Sequence, residues 1–301
     1  LFAAQWYLLA ALLWFPWFYA TANIFLVWCP VQGSAQGPIA WWFGNNITWL
    51  WLAPVCLAAA YYLIPTITKR PIRSYASSSL AFWSLAFLGG WTGVRSLVGG
   101  PVPAWMVSAS VAASILLLIP VTIIGINTFG TLAGQPRTPV LSFLIFGLVC
   151  FVATAAVNAA TPLFSVITHF SDFVLGQSTL AVYGFVSMVL FSAILFIFPK
   201  LLDTTLCASC LSTHYWLAAV GVVTMIIGSV LGGFVQGFAL YDPGVAFISS
   251  VEFAAPFRFL RAVGSLTFFL GGLAFAGLFV KTLLAKADVL PVTKKTGAVA
   301  V

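Results

Sequence analysis

Charge is what this sequence most conspicuously lacks. Lys and Arg total 12 and Asp and Glu 5 in 301 residues, against about a quarter charged residues in a soluble domain. So little charge cannot hydrate the surface of a globule. Histidine occurs twice, as His169 and His214, too few to build a multi-imidazole metal centre. The five cysteines are too few and too scattered for a disulfide framework. Strand-like alternation is missing, which argues against a β-barrel. No linker, low-complexity run or soluble domain precedes a polar tail at 285–301, so residues 1–284 read as a single membrane domain.

Apolar residues fill the space left by charge, at 62% of the chain with a mean hydropathy of +1.11. About 20 apolar residues cross a bilayer as a helix, and turn and charge signals divide the chain into eight expected spans, 2–28, 37–65, 76–99, 104–133, 139–161, 172–199, 214–239 and 259–284. The expected fold is therefore all-α and multi-pass. Gly and Pro within the spans fit, because neighbouring membrane helices satisfy loosened backbone. The abundant Trp and Phe read mainly as lipid-facing surface and interface belt.

The sparse cations set an orientation. Lys69, Arg70 and Arg73 follow span two, Arg137 span four, Lys200 span six, and Lys281, Lys286, Lys294 and Lys295 span eight. By the positive-inside rule that side is cytoplasmic, with both termini there. Asp172, Asp242 and Glu252 fall on the other side, with Arg258 and Arg261 as exceptions. The net charge of +7 thus reads as topology, and no nucleic-acid partner is expected. Asp172 and Glu252 are expected to cap helices or pair with Arg258 or Arg261. Leu1 enters a span at once, without an initiator Met or a basic leader, which reads as processing or as an incomplete chain.

Cys29, Cys56 and Cys150 read as small buried hydrophobes. Cys207 and Cys210, with His214 shortly after, offer three soft ligands and no evident fourth, while Leu211 excludes covalent C-x-x-C-H haem attachment.

Several motifs stand in a recognisable order. They are Gln5-Trp6-Tyr7 with Trp14-Phe15-Pro16-Trp17, Trp41-Trp42-Phe43-Gly44-Asn45-Asn46, Gly99-Gly100-Pro101-Val102-Pro103-Ala104-Trp105, and Ile119-Pro120 with Ile126-Asn127. Thr168-His169-Phe170-Ser171-Asp172 and Phe198-Pro199-Lys200 complete the series. Together they resemble the catalytic subunit I of haem-copper oxidases, in its cbb-type branch, over nearly the whole chain. The resemblance implies the last eight of that family's twelve helices, with Trp91 and Trp105 packed at family positions.

It also implies which positions should carry chemistry. The family's copper histidines fall on Asn45, Arg95 and Ser96, its crosslinked tyrosine on Gly89, its high-spin haem ligand on Gln177 and one low-spin haem ligand on Thr179. Amides and hydroxyls are weak donors to these metals, and a guanidinium repels them. No catalytic residue, metal or cofactor is therefore expected in this chain, with haem and copper left to partner subunits and lipid as a candidate occupant of the vacated space. The leading reading is a non-catalytic subunit of a respiratory complex in the bacterial cytoplasmic membrane, with other membrane subunits and a membrane-anchored c-type cytochrome as partners. Two alternatives stand beside it: an ion, anion or lipid pathway through the vacated cavity, and an active oxidase or nitric oxide reductase subunit with replaced ligands. Arg95, expected within a span, is functional or compensated by default. The compensated reading has it fill the copper pocket and bond to Asn45, Ser96 or Gln177.

Overall fold

A computed structural model describes residues 2–289, with the side chains of 285–289 excepted. The polar tail expected from 285 therefore lies, beyond the backbone of the last helical residues, outside the described part, as do Lys294 and Lys295.

The described chain is helical throughout, without a strand. Its helices are α1 (Ala3–Asn23), α2 (Gln36–Asn46), α3 (Ala53–Thr68), α4 (Tyr75–Gly89), α5 (Ala104–Leu116), α6 (Leu118–Leu132), α7 (Pro139–Ala160), α8 (Ser165–Thr168), α9 (Phe173–Thr179), α10 (Met188–Leu202), α11 (Ala208–Tyr241) and α12 (Phe247–Val289). Wide π-helical turns at Ile24–Trp28, Ile47–Leu52 and Leu180–Ser187 extend α1 and join α2 to α3 and α9 to α10. Seven continuous stretches among the described residues are long and apolar enough to cross a membrane: Ala3–Trp28, Gly33–Thr68, Ala104–Leu132, Pro139–Thr168, Phe173–Leu202, Ala208–Tyr241 and Phe247–Leu284.

The expected span 76–99 is the one that fails as a continuous helix. α4 stops at Gly89 after 15 residues, about 22 Å at 1.5 Å per residue, short of the roughly 30 Å apolar core. The chain then turns and closes a 3-10 segment over Gly93–Leu97. Gly93 explains the geometry, because a Cβ there would lie 2.7 Å from the Trp41 carbonyl oxygen and 3.0 Å from the Asn45 Cβ. Backbone presses on α2 at that point and leaves no room for a helix with ordinary side chains.

Two apolar cores hold the bundle. Trp49, Leu57, Ile64, Leu85, Leu117, Phe151 and Phe185 anchor the first, and Phe143, Met188, Leu195 and Val222 the second. α11 and α12 pack through small residues. A Cβ on Gly237 of α11 would strike the carbonyl oxygen of Ile167, so α8 lies against bare backbone, as small-residue contacts allow between membrane helices. The ends of α3 and α6 also meet, since Arg70 Nη1 donates to the Ala133 carbonyl at 3.3 Å and the Arg73 N–H to Thr131 Oγ1 at 3.3 Å. The cations after spans two and four thus share one end of the bundle.

Several expectations change on contact with the fold. Cys56 and Cys150 are buried, but Cys29 is exposed, because it follows the π turn that ends the first span. Trp91 and Trp105 are 54% and 65% exposed and line a lateral apolar groove instead of packing inside. Asp172 does pair with Arg258, at 2.6 Å, whereas among the described residues no ion pair or hydrogen bond holds Glu252, which is exposed on α12.

Candidate functional site

Asn45, Arg95, Ser96 and Gln177 lie far apart in sequence and line one cavity of about 290 Å³. Each arrives for a local reason. Asn45 sits in the last turn of α2, just before the π turn. Arg95 and Ser96 ride on the 3-10 segment pressed against α2 by Gly93. Gln177 lies in α9, just before the third π turn, Leu180–Ser187. π turns widen the helix and often mark functional positions, and here two follow directly on cavity residues. The remaining wall comes from Trp41, Trp49, Thr154, Asn158, Ser165 and His169, among others.

A hydrogen-bonded chain crosses the wall. Asn45 Nδ2 donates to the Gly89 carbonyl at 2.8 Å, and Thr92 Oγ1 donates to Asn45 Oδ1 at 2.7 Å. Arg95 Nη1 donates to the Thr92 carbonyl, Nη2 donates to Asn158 Oδ1 at 2.8 Å, and the Arg95 backbone N–H donates to Ser110 Oγ at 2.8 Å. Gln177 Nε2 donates to Thr161 Oγ1. The expected direct bonds from Arg95 to Asn45, Ser96 or Gln177 are therefore replaced. The guanidinium reaches Asn45 only through Thr92, because the 3-10 turn points it towards α7. Asn158 and Thr92 were missed by the sequence reading, and only the unusual polarity of Asn158 within the apolar run of α7 signalled the former.

Gln177 and Thr179 go to different places. Thr179 donates to the Leu175 carbonyl at 2.8 Å and lines a second, more apolar cavity with Tyr183, Met225, Arg261 and Phe268.

The Cys207, Cys210 and His214 trio does not assemble. Cys210 Sγ donates to Cys207 Sγ at 2.7 Å on an exposed end of α11. That bond and the Cys210 backbone N–H draw the Cys207 thiol below its ordinary range. His214 instead points inward, with Nδ1 2.9 Å from the Gly271 carbonyl and Phe143, Phe191 and Phe275 around the ring. Cys210 and His214 share one face of α11, a turn apart; Cys210, in the first turn, is half-buried, and His214 is buried one turn further in. Among the described residues no three His, Cys, Asp or Glu side chains gather as a metal site.

An all-helical bundle of membrane-length apolar helices with a polar cavity among them defines a polytopic membrane protein. A model of the family described as Cytochrome C and Quinol oxidase polypeptide I matches residues 1–267, and the chain belongs to this family. It is 29% identical over 265 residues to a Cbb3-type cytochrome c oxidase subunit CcoN1 of Stutzerimonas stutzeri, covering 81% of this chain and 54% of that one. It is 30% identical over 272 residues to a cytochrome c oxidase subunit 1 homolog of Azorhizobium caulinodans, covering 84% and 48%. A bacteroid homolog of Bradyrhizobium diazoefficiens is 30% identical over 283 residues, covering 88% and 50%. The chain spans about half the length of these curated relatives.

Proposed function

We propose that this chain is a subunit I-like component of a bacterial inner-membrane electron-transfer complex that carries no haem or copper of its own and serves as a structural or docking subunit. The supporting observation is the donor set of the cavity: one guanidinium, amides, hydroxyls and a single imidazole, His169. Copper in the resembled oxidases requires three imidazoles, and the positions assigned to them, Asn45, Arg95 and Ser96, stand together on this wall. A cationic guanidinium hydrogen-bonded within the pocket disfavours a metal cation there. Partner subunits, with a membrane-anchored c-type cytochrome among them, would hold the redox groups, and the cation-rich end of the bundle would face the cytoplasm.

The test is an absorption and pyridine-haemochrome spectrum of the chain purified from its native membrane with its partners, followed by separation of the subunits. The expected result is copurification with cytochrome subunits and no haem on this polypeptide. Haem stoichiometric with this polypeptide would overturn the reading.

A further inference from the structure

The polar cavity holds charge of one sign. Among the described residues that line it, Arg95 is the only Arg, Lys, Asp or Glu. The whole chain has 5 acids; the one nearest the cavity in sequence, Asp172, is bound to Arg258 at 2.6 Å. A guanidinium has five N–H donors. In Arg95, Nη1 and Nη2 each have one protein acceptor, and Nε is buried without a partner. Among the described residues the charge is thus set against neutral dipoles alone, whereas ionised side chains within a membrane ordinarily pair or line an aqueous path. Ser96 and Ser165 add hydroxyl donors to the same wall. A volume of about 290 Å³ compares with about 30 Å³ per liquid water, enough for a small ion with part of its hydration shell.

We propose that this cavity binds a small monovalent inorganic anion of halide or nitrate size, held by Arg95 with the hydroxyls of Ser96 and Ser165. One cation calls for one negative charge. The proposal rests on the reading that no haem or copper fills the cavity.

Trp41 and Trp49 line the cavity and provide the readout. The purified protein is titrated with sodium iodide, a contact quencher of indole fluorescence, with gluconate replacing iodide to keep sodium constant. The expected curve has a saturable component above the linear collisional one. Excess chloride displaces it, and Arg95→Gln weakens it at least tenfold. Strictly linear quenching, or a saturable component that chloride leaves unchanged, overturns the proposal on the unsubstituted protein alone, whether or not R95Q folds. The haem content of the same preparation separates the two readings. Haem on this chain overturns the functional reading, and a haem-free sample with linear quenching overturns only the anion site.

Discussion

The bond between Arg95 and Asn158 ties the 3-10 segment after α4 to the last turn of α7, and its removal should be measurable. Asn158 is 7% exposed and its Oδ1 accepts from Nη2 at 2.8 Å. A hydrogen bond to a charged group contributes about 1.5–3 kcal/mol, and more is lost when a buried charge is left short of an acceptor. Asn158→Leu should therefore cost about 2–3 kcal/mol. Arg95→Met should cost much less, because removing a charge set only against dipoles also removes its desolvation penalty. In the double variant the leucine no longer faces a charge. The coupling energy from the cycle should then be about 1.5–3 kcal/mol, in the range found for contacting groups. Equilibrium unfolding in SDS, followed by tryptophan fluorescence, gives the four stabilities. Additive costs, with coupling below about 0.5 kcal/mol, would refute the claim that this bond holds the charge in place.

Two further perturbations probe other parts of the fold. Gly237→Ala puts a methyl group onto the Ile167 carbonyl, so α8 must move off α11; overpacking of this kind costs about 1–3 kcal/mol, and a thermal midpoint equal to the parent's would contradict the contact. Cys207 should react with iodoacetamide while the buried Cys56 and Cys150 do not. Since its pKa is lowered by Cys210, its thiolate persists to lower pH, and its alkylation rate should reach a plateau below the pH expected of a free thiol, about 8.5. Cys210→Ala should move that plateau up, and an unchanged pH profile would count against the hydrogen bond.

The sequence made the membrane class and most spans legible because a 20-residue apolar run has few alternatives. It ran span three past the end of α4 at Gly89 because hydropathy does not register a helix end within an apolar stretch. Leu88-Gly89-Gly90-Trp91 scores as membrane, yet Gly93 must lie flat on α2, and that constraint is tertiary. The convergence of Asn45, Arg95, Ser96 and Gln177 was foreseen from motif order, whereas the partners of Arg95 were not, since they depend on the direction in which a 3-10 turn aims a long side chain. His214 fails for a similar reason. Spacing put it beside Cys207 and Cys210, but the rings that bury it, Phe143, Phe191 and Phe275, come from α7, α10 and α12 and close over α11 a turn beyond its start, where Cys207 stays exposed.

The two cavities separate what packing preserves from what chemistry demands. The wall around Arg95 is internally bonded: Asn45, the Gly89 carbonyl, Thr92, Arg95 and Asn158 form one chain from α2 through the turn after α4 to α7. Each link joins elements that apolar contacts alone would hold only loosely, because the 3-10 segment has a single residue, Gly93, fully buried. Lipid supplies little hydrophobic drive between helices, so polar bonds across the interface fix how these elements meet. The same wall ties the segment after the short α4 to α2 and α7. The end of α4 at Gly89 thus places Arg95 within reach of the Thr92 carbonyl and Asn158, and among the described residues no acid lines that cavity.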